Sequence, residues 1–180
     1  MKKLSFLFLS LCLSLAAMAQ SNDPRVAEIR KMYSEAKKNI EASERKEKQG
    51  QPSNITRAVS NYKLGATASG KVTTTYYFNT VDDEDLERYI FQPYFIVNNF
   101  NTPGNKYYQE FLFDEEGNLA FYYEKNEGEE TRFYFSKNGD GDEGLVHEIN
   151  SSSRTIEPPF ALRIAHELGN AFHLLMNREF

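Results

Sequence analysis

His166-Glu167-Leu168-Gly169-Asn170-Ala171-Phe172-His173 has the outline of a zinc-protease helix. That chemistry needs two histidines four residues apart on one helical face, with the intervening glutamate as base. Asn170 stands where the second histidine is required. In the longer three-histidine form, His173 replaces the glycine and Met176 the third ligand, so one ligand of three remains. At about 100° per residue, His166, Asn170 and His173 fall together opposite the apolar stripe of the same helix. They are expected to form a solvated polar face, and no metal site is assigned. The run Asn138-Gly139-Asp140-Gly141-Asp142-Glu143-Gly144 opens like a calcium loop, with acidic oxygens at alternate positions. Glu143 occupies the position of the obligatory glycine, and Ile149 that of the bidentate glutamate. Asn, Asp and Gly are also ordinary turn residues, so a long polar hairpin turn is expected there. His147 lies among apolar residues without a serine or carboxylate at triad spacing.

A third constellation survives this inspection. Tyr108, Glu110, Tyr122, Glu124, Arg132 and Tyr134 alternate with apolar residues along three successive segments. If Phe111 lies opposite Phe121, and Phe121 opposite Phe135, these six share one outward face. Phe111, Phe113, Phe121, Tyr123, Phe133 and Phe135 then share the inward one. Tyr and Arg are enriched at binding surfaces, where a tyrosine offers apolar area and a polar tip. The six are therefore the candidate ligand-binding residues. A one-residue slip would scatter them, because side chains in a strand alternate with period two.

The elements that must position these residues follow from periodicity. Asp23-Pro24 can cap and start a helix. Val26, Ile29, Tyr33, Ala36 and Ile40 then recur at three- and four-residue spacing, and Gly50-Gln51-Pro52 ends it. From Asn54 the period becomes two. Val72, Thr74, Tyr76 and Phe78 face one way, and Thr73, Thr75 and Tyr77 the other. Phe91 to Phe100 is apolar on both faces, as in a strand covered on both sides. Tyr107–Phe113, Leu119–Lys125, Thr131–Phe135 and Leu145–Ile149 are separated by hairpin signals, among them Glu115-Glu116-Gly117-Asn118 and Glu127-Gly128-Glu129. Pro158-Pro159 starts a last helix, with a stripe of Leu162, Ala165, Leu168, Phe172 and Leu175. The expected fold class is α+β: an N-terminal helix, an antiparallel meander sheet of about six or seven strands and a C-terminal helix, with both helices packed on one sheet face.

Met1-Lys2-Lys3, the apolar run Leu4 to Ala17 and the small-x-small site Ala17-Met18-Ala19 make a secretory signal peptide. The expected organisation is a signal over residues 1–19 and a single α+β domain over residues 20–180. The only cysteine, Cys12, falls inside the signal. Leu11 before it spoils a lipidation site. Export implies a periplasmic or secreted protein, with no integral membrane segment once the signal is removed. The formal charge is −5, and losing the two positive charges of Lys2 and Lys3 takes −5 to −7. Acidity of this kind argues against nucleic acid as a partner.

The run Tyr108-Gln109-Glu110-Phe111-Leu112-Phe113-Asp114-Glu115-Glu116-Gly117-Asn118-Leu119, continued by Phe121-Tyr122-Tyr123-Glu124 and Arg132-Phe133-Tyr134-Phe135, resembles small exported Gram-negative bacterial proteins of unknown function. The resemblance implies a periplasmic or secreted setting and offers no active site. Cystatin-like and beta-lactamase-inhibitor-like folds share the helix-on-sheet layout, an analogy of fold alone. The expected function is that of a non-enzymatic binding module for a protein, peptide or glycan, without a cofactor. Two alternatives stay open: a small-ligand carrier with a pocket between helices and sheet, and a hydrolase with an unmarked site.

Overall fold

A computed structural model describes residues 23–64, 68–83, 88–102, 105–137, 144–150 and 157–176. The signal segment and all of the calcium-like run 138–144 except Gly144 lie outside these. Helix α1 (Pro24–Lys48) leads into strands β1 (Ile55–Leu64), β2 (Ala68–Asp83), β3 (Arg88–Thr102), β4 (Asn105–Phe113), β5 (Leu119–Asn126), β6 (Glu129–Phe135) and β7 (Leu145–Asn150), and helix α2 (Pro158–Met176) follows. The seven strands form one antiparallel sheet in the order β1-β2-β3-β4-β5-β6-β7. This is the α+β meander between two helices that the periodicity predicts. No described helix is long and apolar enough to cross a membrane.

Helix α1 starts as its sequence dictates. Asp23 Oδ1 accepts the Arg25 backbone N–H at 2.7 Å, and Pro24 occupies the first turn, where its missing donor costs nothing. Gly50, at φ 68°, follows the end of the helix in the left-handed conformation. Val26, Ile29, Ala36 and Ile40 are buried against Tyr77, Phe95, Leu112, Phe121 and Tyr134. Helix α2 buries Ala161, Ala165 and Phe172 against Tyr76, Phe78, Phe111, Tyr122, Phe133 and Phe135. Leu175, placed on its apolar stripe by spacing, is exposed, and Met176 packs in its stead.

The two helices lie on opposite faces of the sheet, not on one. Tyr76 and Tyr77 are neighbours in a strand, yet the first packs under α2 and the second under α1. Consecutive aromatics, as in Phe133-Tyr134-Phe135, make both faces of the central strands apolar. Each face then needs a cover.

The expected register is also corrected, and two local devices explain the slip. In the β4–β5 hairpin Phe113 pairs with Leu119, but Leu112 pairs with Phe121. Ala120 is the extra residue of a β-bulge, and it moves Phe111 from Phe121 to Tyr122. In the β5–β6 hairpin Asn126 pairs with Glu129, leaving a two-residue turn, Glu127-Gly128. Both residues have positive φ, 50° and 95°, as a type I′ turn demands. A three-residue reading of that turn pairs Phe121 with Phe135; the real turn pairs it with Tyr134. Together the two shifts turn β5 over relative to β4 and β6.

Candidate functional site

The inversion of β5 divides the six candidate residues. Tyr108, Glu110, Arg132 and Tyr134 stand on the α1 face, and Tyr122 and Glu124 on the α2 face. None lies on an open outer face. Tyr122, Glu124, Glu110, Arg132 and Tyr134 are all buried, and Tyr108 is half-buried. Tyr134 packs its ring 5.0 Å from Phe121 and 5.6 Å from His147. Arg132 donates to Glu130 at 2.6 Å and lies 5.4 Å over the Tyr123 ring. On α2, His166, Asn170 and His173 are exposed, and Glu167 pairs with Arg163 at 3.0 Å. The polar face expected from their spacing is the one observed.

The two glutamates organise what surrounds them. On the α1 face, Glu110 accepts from the Tyr33 hydroxyl at 2.6 Å, from Lys37 Nζ at 3.0 Å and from the Tyr108 hydroxyl. On the α2 face, Glu124 accepts from the Tyr107 and Tyr122 hydroxyls and from Gln109 Nε2 at 3.2 Å. Glu124 belongs to a polar row that crosses the sheet. Thr74, Asn98, Gln109, Glu124, Thr131 and Asn150 are successive cross-strand partners from β2 to β7. Thr74 Oγ1 donates to Asn98 Oδ1 at 2.7 Å, Asn98 Nδ2 to Gln109 Oε1 at 3.4 Å, and Thr131 Oγ1 to Asn150 Oδ1 at 3.1 Å. A buried polar group without a partner costs roughly 1–3 kcal/mol, so a row of this kind persists only when its members satisfy one another.

Tyr107 and Tyr108 carry these two networks to the surface. They are adjacent on β4, point to opposite faces, and are each held from within by a buried glutamate. Both line an open cleft of about 890 Å³ at the sheet end that carries the β3–β4 and β5–β6 turns. Lys71, Asn101 and Lys106 are cross-strand partners along one of its rows. Thr73, Asn99, Tyr108 and Lys125 form the next. Glu127 is the one acid among the lining residues, against Lys71, Lys106 and Lys125. Lys71 and Lys106 have no ion-pair partner among the described residues; Lys125 pairs with Glu130 at 3.4 Å. The cleft lining therefore carries three lysines and one acid, with Glu129 and Glu130 next to it on β6.

Burial raises the tyrosine hydroxyls of the two networks above their ordinary value, and the glutamates add to it. This holds for Tyr107 and Tyr122 beside Glu124, and for Tyr33 and Tyr108 beside Glu110. The phenolic protons point inward to carboxylates. Tyr107 and Tyr108 thus offer the cleft rings and not bases. What the cleft presents is ammonium groups, side-chain amides and aromatic edges, a set suited to holding a polar anionic group.

Sequence reasoning missed Lys71, Lys106, Lys125, Asn99, Asn101 and Tyr107. Each sits at the same sheet end as its neighbours only through the hairpin pairings. The available signal was a lysine at the start of β2, at the start of β4 and near the end of β5, which a meander brings together. No protein-family model matches the chain, and no curated protein or solved structure matches it either.

Proposed function

We propose that this protein is an exported, non-enzymatic binding module, and that the lysine-lined cleft holds an acidic segment of a protein or peptide partner. The export signal read in Met1 to Ala19 supports the setting. The observation that carries the binding reading is the convergence of Lys71, Lys106 and Lys125 on a cleft with two anchored tyrosines. Three ammonium groups around one recess attract carboxylates and leave their geometry loose. The two tyrosines supply fixed apolar edges beside them. The aromatic rows that a carrier would use are packed under the helices, with Phe95, Phe111 and Phe133 fully buried, which favours the cleft as the ligand's place.

The test is titration of an aspartate- and glutamate-rich peptide into the purified protein, followed by calorimetry. We expect binding that weakens steeply between low and physiological salt, as solvent-exposed charge contacts do. The triple change Lys71→Ala, Lys106→Ala and Lys125→Ala should weaken it at least tenfold with the circular-dichroism spectrum unchanged. Equal affinity in the triple variant, or binding of an uncharged peptide of the same length as tightly, would overturn the reading. A uronic-acid oligosaccharide that binds where the peptide does not would move the ligand class to glycans.

A further inference from the structure

The end of the sheet opposite the cleft carries the complement of the cleft. Pairing of β1 with β2 stops at Ile55–Tyr77, and pairing of β4 with β3 stops at Leu112–Phe95. Strand β2 nevertheless continues to Asp83, and β3 begins at Arg88, with the two paired to the tip. Beyond Phe78, whose N–H is bonded to the Asn54 carbonyl, residues 79–83 and 88–92 therefore form a two-stranded arm that outruns both neighbours. Among the described residues, no strand pairs with either of its outer edges. Native sheets do not usually leave such an edge uncovered, since it offers unpaired backbone groups to any extended chain.

The arm is apolar and acidic at once. Val81 and Ile90 are cross-strand partners, and each is more than a third exposed, at 38% and 37%. Asp82 and Tyr89 are the next pair, on the other side of the arm, with Tyr89 67% exposed. Two consecutive carboxylates, Asp82 and Asp83, end β2 at this tip, with Arg88 the cross-strand partner of Asp83. Lys71 and Asn101, in the cleft, lie at the other end of the same two strands. From Lys71 to Asp82 is about 36 Å along β2 at the usual strand rise. An acidic, aromatic projection and a lysine-lined, aromatic recess thus point in opposite directions along one axis.

We propose that the cleft's partner is a second copy of this chain: the arm of one molecule seats in the cleft of the next. The contact is head-to-tail, so docking one pair leaves a free arm and a free cleft at the two ends. Such an interface extends into a chain of molecules unless its rotation closes a ring. The inference rests on the proposed acidic-ligand reading of the cleft, and it names the source of the acid. Charge complementarity selects a second copy over an unrelated partner, because both halves of the contact are present in one sequence.

Sedimentation velocity of the purified protein after signal removal (residues 20–180), across concentration and at low and high salt, tests this. We expect species larger than a monomer that grow with concentration and dissociate at high salt. Asp82→Lys with Asp83→Lys should give a monomer, as should Lys71→Glu with Lys106→Glu. All four changes on one chain should restore association, since the charges are exchanged and not removed. A wild-type monomer at every concentration overturns the proposal, as does association that either reversal leaves intact. The acidic peptide separates the two readings. If the wild type is monomeric but the arm variant, whose cleft is intact, still binds that peptide, the cleft reading stands and self-association fails. If neither peptide binding nor association is seen, both fail.

Discussion

Glu110 and Glu124 are buried to almost the same degree on opposite faces of one sheet, yet they are held differently. Glu110 has two tyrosine hydroxyls and a lysine, and two of these three groups, Tyr33 and Lys37, come from α1. Glu124 takes two tyrosine hydroxyls and an amide, all from the sheet. The first carboxylate ties a helix to the sheet. The second ties strands β4 and β5 to each other, and among the described residues α2 meets this face of the sheet through apolar side chains. A buried charge is tolerated when donors surround it, and those donors need not be cations. The contrast also bears on the helices. On the α1 face, ionic and polar ties supplement the core: Arg25 Nε donates to the Phe135 carbonyl at 3.1 Å, and the Tyr77 hydroxyl to Glu44 at 2.9 Å. On the α2 face, the fully buried contributions of the helix are two alanines and one phenylalanine.

That difference makes Phe172 the most exacting place to test it. Its ring is fully buried, 5.3 Å from Tyr76 and 5.5 Å from Phe78. Phe172→Ala should cost about 3–5 kcal/mol of stability by urea unfolding. Amide exchange in α2 should then rise well before exchange in the sheet. Phe95→Ala, on the α1 face, should cost a similar amount globally but leave α1 protected, because its polar ties remain. Equal loss of protection in both helices would show that the faces are held alike.

The same contrast explains which parts of the molecule were legible in the sequence. Element order, the α1 cap at Asp23 and the opposite facing of Tyr76 and Tyr77 follow from residue types and period. The partner of each strand does not. Ala120 carries no bulge signature in its type, and Glu127-Gly128-Glu129 fits a two- or a three-residue turn equally well. Either ambiguity turns a strand over, and here both fell on β5. Reading tyrosines as outward completed the error. Tyr122 is wholly buried because Glu124 and Gln109 satisfy its hydroxyl, which no local pattern announces. The cleft was illegible for a related reason: its three lysines come from three strands, and they converge only once the register is right.

An alkaline titration probes the tyrosines that hold both carboxylates. Tyr122 and Tyr108 are raised above the ordinary value of 10.0, first by burial and then by their glutamates. In the unfolded chain each ionises near that ordinary value, while in the folded protein each keeps its proton. The stability they contribute is therefore complete below about pH 10 and is lost as pH rises above it, because the unfolded state then binds fewer protons. Each such tyrosine adds a slope of about 1.4 kcal/mol per pH unit once its unfolded form is ionised. Tyr122→Phe should remove one such slope from the stability profile between pH 10 and 11.5, and so should Tyr108→Phe on the other face. A profile unchanged by Tyr122→Phe would show that its hydroxyl is not held as a protonated donor to Glu124.

The smallest effect is expected where the two carboxylates differ most. Lys37 pairs with Glu110 at 3.0 Å, and its ammonium lies 5.6 Å from the Tyr33 ring and 5.4 Å from the Phe95 ring. Removing the cation from a buried pair ordinarily costs about 3–5 kcal/mol, since a charge is left uncompensated. Glu124 argues against that figure here, because a carboxylate on this sheet persists with neutral donors alone. Lys37→Met keeps the stem that packs on both rings and leaves Glu110 with its two tyrosines. It should cost only about 1 kcal/mol, in keeping with a lysine whose side chain is one-third exposed and screened by water. The loss should shrink further at high salt. A loss of 3 kcal/mol or more would mean that the ion pair and not the tyrosines keeps Glu110 in place, and that the two carboxylates are held by different physics.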